Sequence, residues 1–184
     1  SLEGDIERRK QLLTFVISGA GHIGVQLVAE LRDFIFGTLL KLYKVKDLNN
    51  VRIILVEAEP KIMTGLHTKL GAYIMKQLQQ MGIEIRLKSR ITHISQDYIE
   101  LNNAEIVPTN TVIWVAGMAA NPCIDKLNVE KDGMGRIQVT EYLEIPAFPG
   151  VYAVGDCIHF EDPETGQPIP PRAHMAVRQA KAVD

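Results

Sequence analysis

Cysteine is nearly missing from this 184-residue chain, which holds only Cys123 and Cys157. They are far apart and form no C-x-x-C, so neither a disulfide framework nor a tetrahedral zinc site has its ligands, and no metal site is expected. A reducing compartment follows. The segment Ser1 to Lys10 also lacks the apolar run of a secretory signal, which points to the cytoplasm rather than to export. An excess of positive charge is lacking too: 20 Lys and Arg stand against 22 Asp and Glu, a net charge of −2. With no basic field for phosphates, no nucleic-acid partner is expected. Unbroken apolar runs are absent as well. The longest uncharged stretches, Gln11 to Ala29 and Ile106 to Ile124, are interrupted by Gly, Pro, Asn or Gln, and read as strand, turn and helix start rather than membrane spans.

What is present is an ordinary globular balance, 46% apolar and 23% charged, with no internal repeat and no low-complexity tract. Leu12 to Ser18 is a short β-rich run that stops at Gly19, Ala20 and Gly21. From Val25 to about Tyr43 apolar residues recur at three- and four-residue intervals, predicting an amphipathic helix. Asp47, Asn49 and Asn50 make a turn, and Val51 to Val56 is a second β-rich run ending at the acid Glu57. That is one βαβ unit. His67 to Gln80 returns to helical spacing, with Gly82 placed for a left-handed cap. Ile83 to Leu87 predicts a third strand. Ile91 to Ser95, Tyr98 to Leu101 and Ile106 read as a small antiparallel meander, and Thr111 to Ala116 as a strand closed by Gly117.

This order predicts an α/β domain of Rossmann type over residues 11–118, a mostly parallel sheet under helices with the meander inserted. After Met118 the texture changes. Seven prolines punctuate short strands such as Arg136 to Val139 and Val151 to Val154, and a helix is predicted over Arg172 to Val183, entered through Pro170 and Pro171. Residues 119–184 form a second region.

Gly19-Ala20-Gly21-His22-Ile23-Gly24 is a G-x-G-x-x-G. The pattern alone is weak, but here a strand precedes it, a helix follows, and the next strand ends in an acid, the context of a dinucleotide site. The spacing has a chemical reason. A pyrophosphate must reach main-chain N–H groups at the positive end of a helix, and a Cβ would hold it off. Gly19 makes the turn, Gly21 admits the phosphate and Gly24 lets helix and strand pack. Glu57 can accept hydrogen bonds from both adenosine ribose hydroxyls and would repel a 2′-phosphate. With Glu59 adding like charge and no Arg directly following, NADH is expected over NADPH. His22 reads as a solvent-facing residue at the helix start, and Glu7 to Lys10 as a solvated charged cluster.

Val151-Tyr152-Ala153-Val154-Gly155-Asp156 reads as a buried strand running into Gly-Asp. Set behind the βαβ unit and Trp114-Val115-Ala116-Gly117, it resembles the late flavin-binding motif of the pyridine nucleotide-disulfide oxidoreductase superfamily. That resemblance implies FAD, with Asp156 on its ribityl and diphosphate region and Gly155 allowing it against the backbone. Leu13 to Ile17 entering the glycine loop, Val112 to Gly117, and Pro170-Pro171-Arg172-Ala173 are similar to single-subunit, type II NADH dehydrogenases. Those enzymes reduce FAD with NADH and pass the electrons to a quinone, which implies a flavoprotein oxidoreductase with a quinone acceptor. The helix opening at Ala173 would present N–H groups to the flavin. Gly117, closing its strand, joins the cofactor-binding candidates. One departure concerns the acceptor: the family's Ala-Gln-x-Ala-x-Gln is here Ala173-His174-Met175-Ala176-Val177-Arg178, with both glutamines replaced.

An enzyme of this kind has two glycine loops, and this chain has one. The expectation is a fragment that carries the NADH domain and the returning part of the FAD domain, inactive on its own. Residues 119–184 would then expose an apolar face and self-associate, and the full-length protein would contact the membrane peripherally. Two other readings stay open: a thiol-disulfide or ferredoxin-type reductase of the same superfamily, and a non-catalytic NADH-binding sensor.

Overall fold

A computed structural model describes residues 5–43 and 50–184. The first element is one that charge density concealed. Asp5 accepts the N–H groups of Glu7 (2.9 Å) and Arg8 (3.2 Å), capping a short helix α1, Ile6–Leu12. Lys10 pairs with Glu7 at 2.7 Å along it, and Arg8 reaches Asp97 at 3.0 Å. The expected strand therefore starts later, as β1 Thr14–Ser18.

Helix α2, His22–Asp33, begins directly at the glycine loop. It runs on through a π-wound segment, Phe34–Leu39, that sets Ile35 in the core, and into α3, Leu40–Tyr43. The predicted turn at Asp47 and Asn49 lies outside the described residues. Then come β2 Arg52–Val56, α4 Thr68–Gln80 and β3 Glu84–Arg86. His67 caps α4, and Gly82 has φ +82°, the left-handed conformation that closes a helix. β4 Ile91–Ile94, β5 Tyr98–Leu101 and β6 Ile106–Pro108 pair antiparallel as the meander, and β7 Thr111–Trp114 returns to the main sheet.

The main sheet has the order β3-β2-β1-β7, every pair parallel. The two-residue side-chain period then divides the core in two. Ile17, Ile53 and Leu55 face one layer with Val28 of α2 and Leu78 of α4. Val16, Ile54 and Val56 face the other with Ile91, Ile99, Leu101 and Val107 of the meander. Strands covered on both faces must be apolar on both, which explains the unbroken runs Phe15–Ile17 and Ile53–Val56. Arg52 and Glu84 clamp β2 to β3 through bonds of 2.8 and 2.9 Å. Hydrogen bonding to Arg52 is the main reason the Glu84 carboxyl titrates below its ordinary range. These elements form one compact unit, Ser1–Gly117.

Met118–Asp184 is a second unit, with a small core of Ile124, Ile137 and Ile145. The strand expected over Arg136 to Val139 contracts to β8, Ile137–Gln138, paired in parallel with β9, Ile158–His159. The buried strand expected over Val151 to Val154 is not formed. Tyr152 makes one isolated bridge to Glu144, and Val151 and Tyr152 are 48% and 49% exposed. The reason is local. Gly150 turns the chain at φ +80°, tied by its N–H to the Glu144 carboxylate, and within the unit no strand lies alongside to extend the pairing. The closing helix α5, Ala173–Ala182, agrees with the periodicity. No helix among the described residues is long and apolar enough to cross a membrane.

Candidate functional site

β1 ends at Ser18, and the next three residues are each held by main chain or by one acid. Gly19, at φ +105°, donates its N–H to the carbonyl of Val56 (2.8 Å). Ala20 donates to Oε2 of Glu57 (2.7 Å), and its carbonyl accepts from Met63 (2.7 Å). Gly21 caps α2 in an extended conformation without any side-chain bond. The first N–H groups of α2 are thus left for another acceptor.

A Cβ placed on each glycine shows why the three differ. At Gly19 it would meet the Cα of Ala116 at 2.7 Å, so turn and close approach both need glycine. At Gly24 it would overlap the carbonyl oxygen of Gly19 and touch Val115. At Gly21 it would meet nothing within 4 Å. Nothing in the protein's own packing explains Gly21. A ligand approaching the backbone in front of α2, such as a pyrophosphate, would account for it.

Beside the loop, at the carboxyl ends of β1, β2 and β7, lies a cleft of about 430 Å³. Ligands of open parallel sheets bind at this edge. Gly19, Glu57 and Gly117 line it, together with Trp114 and Arg90. Gly117 has φ +76°, turning the chain out of the sheet. Glu57 Oε1 accepts from the N–H of Glu59 at 2.9 Å. With one main-chain bond on each oxygen, the carboxylate keeps acceptor directions for ribose hydroxyls. Gly21 and Gly24 belong to the loop and helix start rather than to the cleft wall, and His22 is exposed.

In the second unit, Gly155 (φ +83°) opens a turn of 3₁₀ helix, Gly155–Cys157, against α5. Its N–H goes to the side chain of Gln179 at 2.8 Å, and Gln179 is 8% exposed. That N–H is engaged internally. Between Gly155 and α5 remains a crevice of about 10 Å³, room for a single water at most. Asp156 is exposed, with no hydrogen bond or ion pair among the described residues, and Arg172 precedes Ala173 without a side-chain cap bond. The carboxylate of Asp156 is an acceptor and the opening N–H groups of α5 are donors, a set that a flavin nucleotide would require; Gly155 serves the turn.

The same unit holds a polar knot that sequence reading missed. Asp132 binds Arg136 at 2.6 Å, and His159 lies 3.3 Å from Asp132 and 3.1 Å from Glu161. Burial pushes the Asp132 carboxyl up, but the side-chain and main-chain hydrogen bonds of Arg136, with the N–H of Met134, outweigh it and hold the group at about 2. Gln179, Trp114 and Arg90 were also missed. For Arg90 a signal existed, since it follows the strand next to β2 and parallel strands deliver their succeeding residues to one edge.

The family model for pyridine nucleotide-disulphide oxidoreductases matches residues 3–180. A probable NADH dehydrogenase of Dictyostelium discoideum is 32% identical over 95% of this chain and 38% of its own length. The type II NADH:quinone oxidoreductase Ndh of Mycobacterium tuberculosis is 31% identical over 97% of this chain and 39% of its own. The chain thus spans less than half the length of these relatives. Among solved structures, NDH2 from Plasmodium falciparum in complex with NADH superposes with a TM-score of 0.77 at 20% identity, over 86% of this chain and 34% of that one, a likeness of fold.

Proposed function

The chain belongs to the pyridine nucleotide-disulphide oxidoreductase family, and from that membership we propose that it is the NADH-binding part of an FAD-dependent oxidoreductase that delivers electrons to a quinone. Residues 11–118 serve as the NADH domain and residues 119–184 as part of the FAD domain. The observation that carries the reading is the unexplained space at Gly21 in front of α2, next to a cleft that Glu57 rims at the sheet's carboxyl edge.

NADH and FAD, when bound, supply the hydride transfer themselves. The protein's residues bind and orient. Gly19 makes the turn, Gly21 and the opening N–H groups of α2 take the pyrophosphate of NADH, Gly24 keeps α2 packed against the loop, and Glu57 takes the ribose. Gly117 leaves the cleft wall without a side chain. Asp156 and the α5 opening at Ala173 take FAD, with Gly155 shaping the turn beside them. No side chain is required as acid or base. The quinone is supported by the names of the Mycobacterium and plant relatives, the latter alternative NAD(P)H-ubiquinone oxidoreductases; contact of the full-length protein with the membrane periphery is part of the same proposal. Both cysteines are free thiols, Cys123 exposed and Cys157 bonded to the carbonyl of Val154; they give a thiol-dependent reading no support.

Trp114 is the chain's single tryptophan and lines the cleft. Titration with NADH should quench its emission and saturate. An unchanged Trp114 signal together with no heat of binding by calorimetry would defeat the proposal.

A further inference from the structure

We infer that Arg90 sets the coenzyme preference of the cleft: its guanidinium receives a 2′-phosphate that Glu57 by itself would repel, so that the chain accepts NADPH alongside NADH. This rests on reading the cleft as the dinucleotide site.

The placement of Arg90 follows from the sheet. β3 lies beside β2 in parallel register, Val56 opposite Arg86, so the residues after both strands emerge at the same edge. Lys88 turns the chain there at φ +52°. Three hydrogen bonds then fix the segment: Lys88 N–H to the carbonyl of Glu59 (3.1 Å), Ser89 N–H to the carbonyl of Glu57 (2.9 Å), and Arg90 N–H to Oδ1 of Asn102 (3.0 Å). Lys88 and Ser89 thus tie this stretch to the segment that carries Glu57, and the backbone of Arg90 itself is held by Asn102. Glu57 and Arg90 line one cleft although 32 residues separate them in the chain.

The side chain is uncommitted. Arg52 and Arg86, on the same sheet, are engaged by Glu84, whereas the exposed guanidinium of Arg90 has no ion pair or hydrogen bond among the described residues. Glu57 makes no ion pair with it among the described residues; its two carboxylate oxygens hold the N–H groups of Ala20 and Glu59. A free guanidinium beside an adenosine ribose is a fork of donors matched to phosphate oxygens. A dianionic 2′-phosphate gains from it, and a ribose hydroxyl gains little. The absence of an Arg directly after Glu57 is thus made good from the neighbouring strand.

The test is a titration of the chain with NADH and with NADPH, read by Trp114 quenching and by calorimetry, for wild type, Arg90→Ala and Arg90→Lys. Arg90→Ala should weaken NADPH by about three- to tenfold, as for an exposed charge-assisted contact, and leave NADH within about twofold. Arg90→Lys should recover part of the NADPH loss, and added salt should weaken NADPH more than NADH. Equal weakening of both coenzymes would mean that Arg90 stacks on the adenine, and would overturn the inference. So would NADPH affinity that ignores the substitution, or wild type that binds NADH and no NADPH. Wild type binding neither coenzyme would overturn the reading of the cleft itself.

Discussion

Oε2 of Glu57 accepts the main-chain N–H of Ala20 at 2.7 Å, so the acid that ends β2 is bonded to the glycine loop that ends β1. The residue expected to hold the ribose also holds the loop, and its Oε1 holds the start of the next segment at Glu59. Binding and positioning therefore share one carboxylate. Glu57→Gln keeps the size but replaces one acceptor by an NH₂ that cannot take a main-chain N–H. It should cost about 1–2 kcal/mol of stability, as expected for a lost charge-assisted bond. It should also weaken NADH while narrowing its lead over NADPH, because the repulsion of a 2′-phosphate disappears. Urea unfolding and the two titrations measure both effects. A variant as stable as wild type, with an unchanged coenzyme ratio, would refute the dual role.

Gly21 and Gly24 should separate binding from folding. At Gly24 an added methyl overlaps the carbonyl of Gly19, so Gly24→Ala must move α2 away from the loop, at a cost of about 1–3 kcal/mol. At Gly21 the methyl has open space and φ is −73°. Gly21→Ala should stay within about 0.5 kcal/mol of wild type, yet lose most of its NADH affinity, since the methyl stands where the pyrophosphate must come. Thermal melts paired with titrations decide it; an unimpaired Gly21→Ala would remove the main support for the cradle.

Acid should loosen the second unit through Asp132. Its carboxyl is lowered from 3.8 to about 2, so its contribution is fully present above the unfolded value and is lost as pH falls through the folded one. Discounted for solvent screening, the shift corresponds to on the order of 1 kcal/mol. Asp132→Asn should lose about that much at neutral pH, and the gap to wild type should close between roughly pH 4 and pH 2. Urea midpoints across that range provide the check. A pH-independent gap would mean the Arg136 contact matters by shape rather than by charge.

The parallel sheet, both helices over it and the meander were legible because each rests on local chemistry. Val16 and Ile54 lie in strands whose two faces are covered, Gly82 needs a left-handed backbone, and Leu70 to Met81 keep helical spacing. The glycine loop and Glu57 were legible for the same reason. What stayed hidden depends on contacts between distant residues. Arg90 reaches the cleft only because β3 pairs with β2. The N–H of Gly155 meets Gln179 24 residues on. Val151 to Val154 has strand composition, but a strand also needs a neighbour, which composition does not encode.

Association should follow from the second unit's surface. Tyr142 is 72% exposed, Val177 56%, and Phe148, Val151 and Tyr152 are also open to solvent. Where such side chains adjoin, the apolar exposure is usually covered by another surface. Size-exclusion chromatography with light scattering should give a dimer or larger, and Tyr152→Lys with Val177→Lys should shift it toward monomer. A monomeric wild type at high concentration would mean that this surface does not bind itself.

Gln179 is the support beneath the proposed flavin contact. Its side-chain oxygen takes the N–H of Gly155, and a Cβ on Gly155 would already touch Ala176 at 3.4 Å. Helix α5 and the turn that carries Asp156 are thereby joined by one part-buried bond and one close packing point. Gln179→Leu keeps the volume but leaves that N–H unpaired in a crevice with room for one water at most, which should cost about 1–3 kcal/mol. Gln179→Glu retains an acceptor and should lose less. Hydrogen exchange at Gly155 distinguishes this from general loosening: its amide should exchange faster in Gln179→Leu while the amides of β1 are unaffected. Equal acceleration throughout the chain would show that Gln179 acts on overall stability and not on the Asp156 turn.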